Sequence, residues 1–183
     1  MSELGESLGV SVFTLDPSGN ATLRLGPDGT QDNIQFFNIS TSVRNDHDEI
    51  AVGADVSPDS SFSVLRLKDG ELSIVARPQD GYEFLMPSGL AINNASTVIY
   101  QGAFSGGSTL FADAGAVDRR IVGTGDALSG STVNTLTFCA GGLNEHNQLV
   151  FLAHLADGRA GVFVADLNQL CLESSRVRRV IEA

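Results

Sequence analysis

The chain has 183 residues, of which 42% are hydrophobic and 18% are charged. This composition suits one globular domain with a real core and excludes a disordered tail or a small disulfide-stapled scaffold. With 22 acidic against 11 basic residues, the net charge of −11 argues against nucleic acid and membrane surfaces as partners, because both are anionic.

The two cysteines and the first residues of the chain carry little functional signal. Cys139 and Cys171 are too few for a disulfide framework, and their spacing fits no zinc pattern, which leaves free thiols or a single bridge as alternatives. The opening residues are not typical of a secretory signal, and no apolar stretch is long enough for a membrane span. We expect a soluble chain, and a fragment of a longer exported protein is one alternative.

The first predicted element is a β-hairpin. Its strands, Val10–Leu15 and Ala21–Leu25, are joined by Asp16-Pro-Ser-Gly-Asn20, whose residue types favour a tight turn. The hairpin resembles the second half of the repeat that follows it. We therefore interpret it as half a repeat unit.

Short runs in which apolar and polar residues alternate follow along the chain, and each is bounded by turn residues, which is typical of β-strands. No stretch keeps a helical period, so helix should be close to absent. The predicted strands of the three units, four in each, are Gln35–Ile39, Glu49–Val56, Phe62–Lys68 and Leu72–Arg77; Glu83–Met86, Thr97–Phe104, Thr109–Asp113 and Arg119–Gly123; and Thr135–Phe138, Gln148–Leu155, Gly161–Leu167 and Arg178–Glu182.

An asparagine precedes the second strand of each unit. Asn93 follows Asn45 by 48 residues, and Asn144 follows Asn93 by 51, a period typical of propellers and stacked arrays. Each asparagine can bind backbone two residues further on and so close the turn between two strands. Three residues after each asparagine stands Asp48, Ser96 or Asn147, and aspartate and asparagine tolerate the left-handed backbone that a tight turn needs.

These features predict an all-β fold of antiparallel four-stranded repeats, forming a β-propeller or a propeller-like array. We expect one domain with a half unit at 8–34 and units at 35–82, 83–133 and 134–183. About three and a half units cannot close a ring, and open strand edges pair with other strands. The chain is therefore a fragment, or two copies form a homodimer that completes a seven-bladed ring, or the units pack in another way.

The segment Leu143-Asn-Glu-His-Asn-Gln-Leu-Val-Phe151 with Gly161-Val-Phe-Val164 resembles a tandem NxxGxxAF-type repeat of bacterial exported and surface-anchored proteins. Ile92-Asn-Asn-Ala-Ser-Thr-Val-Ile-Tyr100 with Ile121-Val-Gly-Thr-Gly-Asp126 is similar to it as well. The resemblance spans about 140 residues of this chain. It implies a propeller-like fold and an extracellular or cell-surface setting, and it implies no assigned chemistry.

The turns after the three asparagines hold the candidate binding residues. Because equivalent positions on neighbouring units share a rim, we expect these side chains to lie together, as ligand contacts or as solvated turn residues; they are Asp46, His47, Asn94, Glu145 and His146. We predict no metal ligand and no cofactor, with calcium as the alternative. Calcium prefers carboxylate oxygens such as those of Asp46, Asp48 and Glu49 with Asp55 and Asp59, although their spacing is not that of a calcium-binding loop.

Catalytic signatures are missing from the sequence. It has no Gly-x-Ser-x-Gly elbow, and neither of its glycine-rich loops opens a helix, so we predict no catalytic residue. The sequence favours a non-catalytic binding or scaffolding module of a bacterial extracellular protein, with a protein or a glycan as partner. The alternatives are a propeller-type hydrolase or lyase whose site lies where loops of several units converge, and a purely structural array.

Overall fold

The computed structural model describes residues 11–26, 29–58, 60–78, 83–113, 118–169 and 177–182. The fold is all-β, and its sheets are antiparallel, which confirms the predicted fold class at that level. The described residues form no α-helix. Among them, no helix has the length and apolar character needed to cross a membrane.

The first element is the N-terminal hairpin of β1 (Val12–Leu15) and β2 (Ala21–Leu25), as predicted, with Val10 outside the described residues. The Asp16 carboxylate accepts hydrogen bonds from the backbone N–H groups of Ser18 and Asn20, at 2.8 and 2.9 Å. Gly19 has a φ of +85°, which glycine adopts without steric cost. The turn residues thus fix the hairpin locally.

Three larger sheets follow in chain order. The first sheet contains β3 (Gly29–Gln31), β4 (Ile34–Arg44), β5 (Ile50–Val56), β6 (Ser61–Lys68) and β7 (Glu71–Ala76). The second sheet contains β8 (Phe84–Ile92), β9 (Val98–Phe104), β10 (Gly107–Asp113) and β11 (Asp118–Gly123). The third sheet contains β12 (Ala127–Leu128), β13 (Ser131–Thr137), β14 (Gln148–Leu155), β15 (Ala160–Asp166) and β16 (Val177–Glu182).

All twelve strands predicted for the three units are present, and the two short strands β3 and β12 were not predicted. The pairing of β4, β8 and β13 with the next strand is interrupted by a register shift, that is, a β-bulge or a similar irregularity. In β4 and β8 the strand continues beyond this bulge to the asparagine turn, so both are longer than predicted. In the third sheet a 3-10 turn, Ala140–Gly142, and a single bridge between Leu143 and Leu149 lead to the turn instead.

The sheets stack face to face in chain order. Residues of the N-terminal hairpin share a buried cluster with the first sheet, the first sheet shares another with the second, and the second shares a third with the third sheet. Gly89 of β8 lies against the Phe138 ring that follows β13, since a Cβ there would stand 2.7 Å from a ring carbon of Phe138. The chain therefore has several small cores between successive sheets.

Neighbouring residues of a middle strand face different cores. In β5, Val52 packs toward the hairpin and Ala51 toward the second sheet; in β9, Tyr100 packs toward the first sheet and Ile99 toward the third. Both strands are buried almost throughout for this reason. By contrast, β14 alternates between buried and accessible residues, as a strand with one covered face does.

These cores predict different costs for the same truncation at two phenylalanines. Phe163 is fully buried between the second and third sheets, whereas Phe104 is 37% exposed. We expect Phe163→Ala to lower the free energy of unfolding by about 3–5 kcal/mol, because a cavity adds to the lost transfer energy, and Phe104→Ala to lower it by about 1 kcal/mol. Urea unfolding measures both. Equal losses would contradict the stacked-core arrangement.

Candidate functional site: the rim of asparagine turns

The three asparagine turns have the same internal hydrogen bonds. In each turn the asparagine Oδ1 accepts hydrogen bonds from the backbone N–H groups two and four residues further on, at 2.9–3.1 Å. The donors are His47 and Glu49 for Asn45, Ala95 and Thr97 for Asn93, and His146 and Gln148 for Asn144. The residue three after each asparagine has left-handed backbone, with φ of 65°, 61° and 58°. The predicted turn chemistry is confirmed, and the bond to the fourth residue is an addition to it.

The asparagines also join one turn to the next. Asn45 Nδ2 donates to the backbone carbonyl of Asn93 at 2.9 Å, and Asn93 Nδ2 donates to that of Asn144 at 3.1 Å. Asn144 Nδ2 instead donates to Gln148 Oε1 within its own turn, at 3.0 Å. Asn45 and Asn93 are buried while Asn144 is exposed, so the series of bonds ends at the third turn.

The surface formed by the three asparagine turns is the rim of the stacked sheets. Four of the five predicted site residues lie together on it. The Asp46 N–H donates to Asn94 Oδ1 at 2.8 Å, and Asn94 Nδ2 donates back to Asp46 Oδ2 at 3.1 Å. The Asn94 N–H donates to Glu145 Oε2 at 2.8 Å. His47 Nδ1 lies 3.1 Å from the Asn94 carbonyl oxygen. The first residue after each asparagine is therefore tied to its counterpart on the neighbouring turn.

His146, the fifth predicted residue, lies on the exposed third turn, with the second turn between it and His47. Its backbone carbonyl accepts a hydrogen bond from Asn168 Nδ2 at 2.9 Å, and Asn168 Oδ1 accepts one from Asn147 Nδ2 at 3.1 Å. Asn168 thus holds the last turn of the rim. Sequence reasoning missed it because it lies 21 residues after Asn147 and belongs to no repeated pattern.

A buried carboxylate reinforces the contact between the first two turns. Glu49 Oε1 lies 2.7 Å from Lys68 Nζ and accepts a hydrogen bond from Ser96 Oγ at 2.8 Å. Burial works to raise the pKa of Glu49, but the Lys68 ammonium and the Ser96 and Asn45 hydrogen bonds outweigh it, so the pKa of Glu49 lies below its ordinary value. The carboxylate is therefore held in its charged form.

The N-terminal hairpin is joined to the same rim by charge. Arg24 of β2 bonds to Asp48, and Arg44 Nε lies 2.8 Å from the same carboxylate. The hydrogen bond from Arg24 lowers the pKa of Asp48 most, against the effect of burial, and the Arg44 charge adds to the lowering. Asp48 is thus both the left-handed turn residue and the anchor for the hairpin.

Two open clefts involve residues that contact or belong to the first turn, namely Lys68 and Asp48. One, of about 420 Å³, is lined by Arg66 and Lys68 together with acidic residues that include Asp32 and Glu71. The other, of about 530 Å³, lies against the hairpin turn and Asp48. Both clefts are lined by a mixture of charged and apolar residues, and neither includes a predicted site residue in its lining.

The acidic residues of the first turn point to different partners. Asp46 bonds to Asn94, Asp48 to arginines and Glu49 to Lys68, while Asp55 accepts a hydrogen bond from Asn38 at 2.9 Å. Within the described ranges, no three His, Cys, Asp or Glu side chains are grouped to hold one metal ion. Asp59 and Cys171 lie outside those ranges, and Cys139 is exposed.

Comparison with known proteins adds no relative. No protein-family model matches the chain, and no curated protein matches it. The resemblance to the tandem bacterial repeat therefore stays a prediction that rests on residues 92–100 and 143–151. The roles of the rim residues follow from their contacts alone.

The asparagine bonds predict a graded effect of substitution. Asn93→Ala leaves buried backbone groups of its own turn and the Asn144 carbonyl without their partners, so we expect a loss of about 2–4 kcal/mol in the free energy of unfolding. Asn144→Ala changes an exposed turn and should cost about 1 kcal/mol or less. Chemical denaturation compares the two.

Asn93→Asp separates the two roles of the side chain. It keeps an oxygen for the turn N–H groups but loses the amide that donates to Asn144 O and Asn147 Oδ1. We expect a stability between those of the wild type and Asn93→Ala. A stability equal to that of the wild type would show that the bond between turns contributes nothing.

Glu49 predicts a dependence of stability on pH. A carboxyl group whose pKa is lowered by folding stabilises the protein above its pKa in the unfolded chain, about 4.3, and that contribution is lost as the pH falls through the folded-state value. Glu49→Gln should therefore destabilise the protein near neutral pH and cost less in acid. Unfolding free energies across the acid range test this, and a pH-independent difference would contradict it.

Proposed function

We propose that the chain is a non-catalytic binding module whose ligand-contacting surface is the rim formed by Asp46, His47, Asn94, Glu145 and His146. The single observation that supports this most is the hydrogen-bonded series from Asp46 through Asn94 to Glu145. It joins three turns into one continuous polar surface, and such fixed surfaces bind with little ordering cost.

The chemistry of the rim favours a ligand rich in hydroxyl groups or positive charge. Asp46, His47, Glu145 and His146 are exposed, and each carboxylate uses one oxygen in a bond between turns. The net charge of −11 repels anionic ligands. A neutral glycan or a basic protein surface fits these properties best.

The arrangement that carries the rim is, in this proposal, a propeller-like array. Three antiparallel sheets stacked in chain order, with equivalent turns on one rim, support it. The resemblance of residues 92–100 and 143–151 to the tandem bacterial repeat supports an extracellular setting. Calcium is left to experiment, because the described carboxylates of the first turn bind protein partners.

The binding role predicts that charge on the rim matters even where the fold is unchanged. Asp46→Asn and Glu145→Gln each keep an oxygen for the bond between turns and remove only the charge. On an array of neutral and anionic glycans and of basic and acidic peptides, we expect the wild type to bind a neutral glycan or a basic peptide. Each variant should bind about tenfold more weakly, the value of one charge-assisted hydrogen bond.

Glu83→Gln is the matched control, because Glu83 is exposed and precedes β8, at the opposite end of that strand from Asn93. It should bind as the wild type does. The assay is run with calcium and with a chelator, and the bound glycans are analysed by mass spectrometry. No binding, or binding unchanged in both rim variants, would contradict the proposal, and cleavage of a bound glycan would indicate the hydrolase or lyase instead.

A further inference from the structure

The outer face of the third sheet carries an apolar patch that is only partly covered. Val150 is 41% exposed, and its cross-strand partner Val164 is half-buried. Leu152 and Val162 form the next such pair and are also half-buried. These four side chains lie on one face, since alternate residues of a strand share a side, and the opposite face packs on the second sheet.

The equivalent face of each preceding sheet is an interface. Six residues after the three asparagines stand Ala51, Ile99 and Val150. Ala51 is fully buried in the cluster that contains the second sheet, and Ile99 is fully buried in the cluster that contains the third. Val150 occupies the same position in the last described sheet, so its face is built like a surface on which another unit packs.

The other end of the stack carries a second uncovered apolar face. In the N-terminal hairpin, Phe13, Leu15 and Leu23 are 56%, 65% and 54% exposed, and Phe13 pairs directly with Leu23. The opposite side of the hairpin packs on the first sheet through Val12 and Leu25. Exposed apolar patches of this kind mark interaction sites.

We propose that these two faces bind each other between two copies of this chain, with the Phe13–Leu23 face of one copy on the Val150–Val164 face of the other. The contact continues the stacking already present between the sheets. Each copy carries both faces at opposite ends of its stack, so two copies joined head to tail cover all four. Two sets of about three and a half units give seven, within the range of closed propellers.

The exposure of Asn144 supports a contact between this end of the stack and a unit of another copy. Its counterparts Asn45 and Asn93 are buried by the turn that follows each of them. The interface depends on the stacking of the sheets and is independent of the ligand proposed for the rim. A rim that binds no ligand would leave it unchanged.

Sedimentation equilibrium of the 183-residue chain tests the proposal. We expect a mass of twice 19.2 kDa for the wild type. Leu23→Lys and Val150→Glu each place a charge in both contacts of the pair, so each variant alone should sediment at the single-chain mass. Both positions are exposed in the single chain, and circular dichroism verifies that the variants are folded.

Mixing the two variants gives the sharper result. A mixed pair has one unaltered contact, and in its other contact the lysine introduced in one variant faces the glutamate introduced in the other. The mixture should therefore regain the doubled mass. Ser18→Lys is the control, because Ser18 is exposed in the turn of the same hairpin and its hydrogen bond to Asp16 comes from its backbone N–H. It should behave as the wild type does.

A single-chain mass for the wild type, or a doubled mass for either variant alone, would overturn the proposal. A mixture that stays at the single-chain mass would overturn the head-to-tail contact, since a contact between like faces gains nothing from mixing. Larger, open-ended assemblies would overturn the closed pair.

Discussion

The arrangement of the sheets depends on two asparagine side chains, each of which makes two kinds of hydrogen bond. In Asn45 and Asn93 the oxygen closes the turn between two strands, while the nitrogen donates to the backbone of the next turn. Both groups are buried, and a buried polar group without a partner is costly, so the turn and the contact between turns must form together. Local chain reversal is thereby coupled to the position of the next sheet, about fifty residues further along the chain.

This coupling determines which strands are buried on both faces. Once each turn is fixed to the next, β5 and β9 have a sheet on either side, and six of the seven residues of each strand are buried. Among the residues that the structure describes, the third sheet has a packing partner on one side only, and β14 accordingly alternates. The same local turn thus belongs to sheets with different burial, because burial is set by the neighbouring sheets.

The sequence was sufficient for most of the local structure of the described residues. Period-two alternation and turn residues predicted the strands of the three units, and the spacing of the asparagines predicted turns of one kind, which their hydrogen bonds confirm. The bulges in β4 and β8 were missed because an extra residue breaks the alternation that reveals a strand. The bonds from Arg24 to Asp48 and from Asn168 to the third turn were missed because both join residues distant in sequence, and only the packed structure brings them together.

The rim separates positions that the fold requires from positions that it leaves free to vary. The asparagine is the same in all three turns, where its oxygen accepts the turn N–H groups, although only Asn45 and Asn93 also donate to the next turn. The next position carries Asp46, Asn94 or Glu145, each of which offers an oxygen to a neighbouring turn. The position after that carries a histidine in two turns, His47 and His146, and an alanine in the other, Ala95, while the backbone N–H groups make the same bond in all three. The side chain at this third position can therefore change without loss of the turn, because the turn uses only its backbone N–H group.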